Sequence, residues 1–390
     1  MRASAPRTLS VSVLETPFRV VFGAGVSEED AARIADSWAC CAADPDSAAR
    51  DVLAEVAPTP TRQVGTGMRV SSTSVAQLEE SLTSTLTVEA IGERRGDLLM
   101  LHACGIADED GHVLAFVAAS GTGKTTIART LGSRFGYVTD ETVGVTSEGR
   151  VLPYPKPLSV KPLSGSAPKA QLAPTALGLR PAPDVPLVLA GVVLLERRDA
   201  VDAPYLEPVD PIEAIEDLVP QTSYLSARPR PITGLVRTLT ALGGVRRLVY
   251  SEAGSVVHLV EEAFAGLGAP APAAWGDVSA VPLGAAGEVP PGALVRTPAD
   301  DAVELPDGQL LVFCNDVLVR LSGIGPVVWR HADRGAHVAG LVASVLEEVG
   351  PPPVGVDAEA AVEAAVSELE DLGVITRTPP LPTTPDGWHA

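Results

Sequence analysis

The chain has 390 residues, enough for two or three domains at roughly 150 residues each. It carries 49 acidic against 29 basic residues, a formal charge of −20, which argues against bulk attraction to nucleic-acid phosphates or an anionic membrane. Hydrophobic residues make up 46% but aromatics only 4%, so the core must be built mainly from Ala, Val and Leu.

No apolar run reaches the roughly 18 residues a spanning helix needs. Met1 to Pro17 has no compact apolar block followed by a small-residue cleavage site, so no signal peptide is expected. Cys40, Cys41, Cys104 and Cys314 show no paired metal spacing, which fits a protein of the reducing cytoplasm. Along the chain, Leu9 to Leu14 and Phe18 to Phe22 read as short strands. Residues 28 to 56 are rich in Ala and acids and suggest helix, and 57 to 67 are turn-rich. Two strands are predicted at Leu98 to Ala103 and Val113 to Val117, followed by a helix from Lys124 to about Phe135. Residues 150 to 186 are Pro-rich and loop-like, and Val185 to Leu195 reads as a buried strand. Helices are expected at 210–219 and 231–242, and short strands at Arg247 to Tyr250 and Ser255 to Val260.

The strongest motif is Val117-Ala-Ala-Ser-Gly-Thr-Gly-Lys-Thr-Thr126, set between an apolar strand and a helix carrying Ile127 and Leu131. Gly121 and Gly123 allow tight turns, so that the amides of Ser120, Gly121, Thr122, Gly123, Lys124, Thr125 and Thr126 can face phosphate oxygens. The helix N-terminus adds its dipole, Lys124 reaches the β- and γ-phosphates, and the Thr125 hydroxyl can coordinate Mg2+. The formal pattern begins with Gly where this chain has Ala118, which is tolerable if that residue keeps a negative φ.

Asp140 and Glu141 follow at a predicted strand end. One acid could hold magnesium or its water while the other accepts a proton from an attacking hydroxyl. The bland alternative is a solvated acidic turn. His102 ends an apolar strand and is either a satisfied structural histidine or a contact to phosphate or the attacking group. Lys156 and Lys161 lie on a proline-stiffened segment, as exposed loop lysines or as contacts to nucleotide or acidic substrate. Arg197, Arg228 and Arg230 are further candidates for a γ-phosphate contact.

On these motifs, residues 98 to 262 resemble the catalytic domain of HPr kinase/phosphorylase and its relatives in peptide-modifying gene clusters. The match comprises the strand with His102, the Ala-Ser-Gly-Thr-Gly-Lys-Thr loop, and Val138-Thr-Asp-Glu-Thr-Val143. The resemblance implies an ATP- and Mg2+-dependent kinase, with Asp140 as general base, Lys124 and His102 in the catalytic group, and Thr125 and Glu141 on the metal. This chain has Glu141 where the family has a second aspartate. It also lacks, after residue 141, the Gly-rich stretch that supports phosphorolysis.

Residues 266 to 293 carry Gly, Pro and Ala without hydrophobic period and read as a linker. Beyond it, Ala302-Val-Glu-Leu and Gln309-Leu-Leu-Val-Phe flank a Pro306-Asp-Gly turn, and a third strand is expected at Val317 to Leu321. Apolar positions then shift to helical spacing and end at Gly373, before a short Val374-Ile-Thr strand. This module resembles the PqqD family of peptide-binding elements through its hairpin, Val319-Arg-Leu-Ser-Gly-Ile-Gly-Pro-Val-Val-Trp329, and Leu369-Glu-Asp-Leu-Gly-Val-Ile375. The resemblance implies that a precursor or leader peptide adds a strand to its sheet edge. A DNA-reading winged helix is disfavoured, because Val338 to Glu348 holds no Lys or Arg.

The expected architecture is therefore α/β. An N-terminal supporting region spans 1–95, and a P-loop kinase domain of the HPr kinase/PEP carboxykinase-like type spans 96–265. The linker spans 266–293, a small α+β winged-helix-like domain 294–377, and a disordered tail 378–390. The expected function is phosphorylation of a Ser or Thr hydroxyl on a ribosomally made peptide held by residues 294–377. The alternatives are a regulatory kinase of a folded carrier protein and a nucleotide-switched scaffold that presents a peptide. A homo-oligomer is left open.

Overall fold

The computed structural model describes residues 7–47, 49–59, 67–119, 121–160, 169–267, 279–283 and 290–379. Most of the expected linker, and the tail beyond residue 379, lie outside these. The protein is mixed α/β, and none of its described helices is long and apolar enough to cross a membrane. The chain forms two compact units: Met1–Leu225 with Leu239–Ala274, and Ser226–Thr238 with Trp275–Ala390.

The first unit opens on a hairpin of Thr8–Val13 and Thr16–Phe22. Leu14 and Glu15 both take positive φ at its two-residue turn, matching the twist of the flanking strands. Arg50–Val56 and Met68–Ser72 then add in parallel. The hairpin buries Val11, Val13, Phe18 and Val20 in a core shared with the helices Glu28–Ser37 and Val75–Glu93. Ser27 and Ser74 cap these helices, accepting from the amides of Asp30 and Gln77. Of the segment 28–56 expected as helix, only the acid-rich start with its Ser cap forms one; Ala39–Cys41 is a 3-10 turn and Arg50–Val56 joins the sheet.

A seven-stranded sheet forms the centre of this unit. Its order is Arg180–Pro181, Gly136–Thr139, Ala103–Ala107, His112–Val117, Val188–Arg197, Val245–Tyr250, Tyr205–Pro208. His112–Val117, Val188–Arg197 and Val245–Tyr250 run parallel, whereas Ala103–Ala107 runs antiparallel to both its neighbours. The strand before the glycine-rich loop thus pairs in parallel on one side and antiparallel on the other, and is buried along almost its whole length. A smaller sheet joins Val151–Leu152, Val143–Val145, Leu99–Leu101 and Thr222–Ser223. The predicted strand Ser255 to Val260 is instead a 3-10 turn, Ala253–Val256, running into the helix Val257–Ala265. Its buried residues Val256, Val260 and Ala263 are spaced for one helical face.

In the second unit, Asp301–Glu304, Leu310–Cys314 and Val317–Leu321 form an antiparallel meander, and Ser279–Ala280 pairs with the first of these. The expected Pro306-Asp-Gly turn is present, with Gly308 at φ +80°. The helices Gly325–His331, Val338–Glu348 and Ala358–Asp371 cover a core that includes Val312, Val319, Val328, Trp329, Leu341, Val366 and Leu369. Ile375–Arg377 closes back on Leu294–Arg296.

Candidate phosphate-binding site

The strand His112–Val117 delivers the chain to the loop, and the helix Lys124–Gly132 carries it away. Gly121 and Gly123 have φ of +87° and +99°, a region that any L side chain resists, and Gly123 is the N-cap. Ala118 is not among the residues with positive φ, so the departure from Gly there meets the condition for being tolerated. Ser120 lies outside the described residues. Thr122 Oγ1 donates to the Ala119 carbonyl at 2.6 Å, tying the turn to itself. Lys124 Nζ folds back to donate to the carbonyls of Ala118 and Ala119. Burial pulls its pKa down, against the opposing pull of Cys104, Glu141 and Asp140.

The strand Gly136–Thr139 ends at the two acids. Asp140 is 4% exposed and both its oxygens are engaged. Oδ2 accepts from Thr125 Oγ1 at 3.3 Å; Oδ1 accepts from Tyr137 Oη at 3.1 Å and pairs with Lys156 Nζ at 2.9 Å. Burial and the neighbouring Asp140 carboxylate hold the Tyr137 phenol far up, so it is a donor here. Glu141 is more open, with Oε2 at 3.6 Å from Lys156 and Oε1 at 3.8 Å from His102 Nδ1. His102 Nδ1 also lies 3.1 Å from the Glu141 carbonyl. A carbonyl only accepts, so this nitrogen carries the proton, and in the neutral ring Nε2 keeps its lone pair. Burial, then Lys124, pushes the His102 pKa down, against Glu141 and Asp140, and favours that neutral ring.

Lys156 is not an exposed loop lysine. It is 2% exposed, because Tyr154 two residues earlier is fully buried and its hydroxyl lies 2.6 Å from Thr87 Oγ1. Burial pulls its pKa down, but Asp140 and Glu141 outweigh this and the net shift is upward. The ammonium also donates to the Pro157 carbonyl at 3.3 Å.

His102, Gly121, Gly123, Lys124, Thr125, Thr126, Asp140 and Glu141 all line one cavity of about 660 Å3. Lys156 and Arg197 reach it too. Arg129 and Lys169, not singled out by the sequence reasoning, complete its cationic wall. Lys161 lies outside the described residues. Arg228 and Arg230 belong to the second unit; Arg230 pairs with Asp301 at 3.1 Å, and one Arg228 terminal nitrogen is buried without a partner in the described structure.

The hydroxyl of Thr125 and the carboxylate of Asp140, both hard oxygen donors facing this cavity, are a donor set suited to Mg2+. No protein-family model matches the chain, and no curated protein is significantly similar to it.

Proposed function

We propose that the chain is an ATP-dependent kinase of the HPr kinase/phosphorylase-like P-loop type, acting on a Ser or Thr hydroxyl of a ribosomally made peptide. The observation that carries this reading is the contact between Thr125 Oγ1 and Asp140 Oδ2 beside the phosphate loop, with Glu141 and His102 on the same cavity. A loop threonine and a strand-end aspartate are the pair that holds Mg2+ in P-loop enzymes. Bound there, the ion would offset charge on the β- and γ-phosphates.

In the reaction, the acceptor oxygen forms a bond to the γ-phosphorus as the bond to the β–γ bridging oxygen breaks, and ADP leaves. The acceptor proton passes to a carboxylate. Asp140 already accepts from Thr125, Tyr137 and Lys156, whereas Glu141 is the more accessible acid. We therefore assign Asp140 to the metal side and Glu141 to the proton, the reverse of the order the resemblance implies. Lys124 and the loop amides stabilise the charge that develops on the transferring group.

The second unit supports recruitment of the peptide. Val317–Leu321 stands at one end of the sheet order and pairs on one side only among the described residues, which would leave an edge for strand addition in the manner of PqqD-like modules. Tethering would raise the effective concentration of the acceptor at the first unit.

The test is incubation of the full chain with γ-labelled ATP, Mg2+ and the peptide encoded beside its gene. Glu141→Gln is expected to keep nucleotide affinity and lose transfer by about 10²–10⁴-fold. Asp140→Asn is expected to weaken Mg2+-dependent nucleotide binding as well. Label on a folded carrier protein instead would favour the regulatory-kinase reading. Nucleotide binding with no ADP formed would favour the scaffold.

A further inference from the structure

We propose that the cavity accepts an anionic acceptor segment, and that Arg129, Lys169 and Arg197 hold oxyanion side chains flanking the hydroxyl that is phosphorylated. This rests on the kinase reading above and names its substrate class: a peptide whose accepting Ser or Thr sits among Asp and Glu.

The inference follows from where the positive charges of the cavity are already spent. Lys156 is enclosed by Asp140 and Glu141 and is nearly inaccessible. Lys124 lies against the loop carbonyls, where a phosphate oxygen would replace them. His102 Nδ1 is turned to the Glu141 carbonyl at 3.1 Å. Three cations of the wall remain among the described residues. Arg129 is exposed and forms no ion pair with any described residue. Lys169 stands 3.7 Å from Glu80, with both side chains close to half exposed. Arg197 is 3.6 Å from the well-exposed Glu252, while its Nε donates to the Ser251 carbonyl at 3.0 Å. That bond fixes the guanidinium and leaves its terminal nitrogens to bind. Long, exposed pairs of this kind hold little energy and exchange readily for a ligand carboxylate.

The contrast with the opposite side of the phosphate loop sharpens the point. A smaller cavity there, about 270 Å3, contains Arg247, whose guanidinium is already shared among Glu196, Glu213 and Asp217. Its charge is met from within the protein. In a chain of net charge −20, a wall of one unpaired and two loosely paired cations favours an entering anion against the overall field. Arg129 is five residues into the helix from Lys124, about 7.5 Å along its axis at 1.5 Å per residue, which places its backbone past the loop amides that serve the nucleotide.

The experiment uses the full chain with ADP and Mg2+ and short labelled peptides that share one Ser and lack any leader. Flanking residues are Asp and Glu, Asn and Gln, Lys, or phosphoserine, and binding is read by fluorescence anisotropy. The acidic peptide is expected to bind at least about tenfold tighter than the neutral one, with the basic peptide weakest. R129Q, K169Q and R197Q are each expected to weaken the acidic peptide several-fold, and R129Q and K169Q to leave affinity for a fluorescent ATP analogue unchanged. A phosphoserine peptide binding tighter than the carboxylate one would assign the oxyanion to an earlier phosphorylation and retain the site. Equal binding of acidic, neutral and basic peptides overturns the proposal, as does a parallel loss of nucleotide affinity in R129Q and K169Q. Because binding is read with ADP, acidic selectivity here together with no label transferred in the γ-labelled ATP assay would reject the kinase reading while keeping the anion site.

Discussion

Lys156 decides how the acid pair behaves. A cation this deeply buried is costly unless paired, and here the pairing is to Asp140 at 2.9 Å with Glu141 next to it. Removing the ammonium leaves two carboxylates facing each other across its place, so Lys156→Met is expected to lower unfolding stability by about 3–5 kcal/mol in urea titrations. The sign of its pH dependence follows from the raised pKa. The Lys156 contribution is complete below the ordinary lysine range and is lost as pH climbs through the higher folded value. The gap in stability between wild type and Lys156→Met should therefore stay level through neutral pH and close only above about pH 10.4. A gap that closes between pH 6 and 8 would contradict this. Local sequence could not disclose such a role. The prolines around Lys156 signal a loop, and loops usually lie outside; what draws this one in is the Tyr154 hydroxyl meeting Thr87, 67 residues away.

At the scale of elements, the strand–glycine turn–helix around residues 117–126 was legible because its signal is local. Glycines with positive φ, the lysine and the threonines stand within a few residues of each other between strand and helix. Gly123→Ala tests that economy. A Cβ there would meet no atom closer than the Tyr250 hydroxyl at 3.8 Å, so crowding is not the obstacle; the φ of +99° is. Holding an alanine in that region costs of order 1–3 kcal/mol. If the loop relaxes instead, its amides turn away, and ATP affinity measured by calorimetry should fall roughly five- to 150-fold. The helix Val75–Glu93 shows the opposite case. Its inward face holds Leu78, Leu82, Leu86 and Ala90, but Glu79, Thr83 and Thr87 are buried beside them and blur the apolar stripe. Both threonines donate to the carbonyl four residues back, which satisfies them inside the core and leaves little sequence signal. Ser255 to Val260, expected as strand, forms turn and helix for a related reason: a short apolar run fits either period until its neighbours are known.

Across the whole molecule, the chain leaves the first unit at residue 225, contributes residues 226–238 to the second, and returns before the final crossing. The anchor is Asp301, which is fully buried. Its carboxylate accepts from the Thr233 amide at 2.7 Å, from Thr233 Oγ1 and Arg230 at 3.1 Å, and from the Ala302 amide at 2.9 Å. Arg230 is held at φ +50°, a strained value for a side-chain-bearing residue that this set of bonds enforces. The partners lie 68 to 71 residues apart, beyond any periodicity or turn signal. Asp301→Ala leaves the Thr233 amide without its buried acceptor and Arg230 without its counter-charge. It should cost about 3–5 kcal/mol, read as earlier loss of protection in hydrogen exchange across 226–238 and 294–377 together. Protection lost in 294–377 alone would mean that 226–238 does not depend on this anchor. The same bond set bears on how recruitment is tested. A chain cut after residue 267 lacks the residues that hold 226–238, so loss of activity in it would report that segment's disorder as readily as loss of peptide binding. Activity toward a short acidic peptide that stays absent from the truncated chain, while Asp301→Ala in the full chain lowers it only in step with stability, would place the dependence on folding and leave recruitment to be read from the leader-bearing peptide.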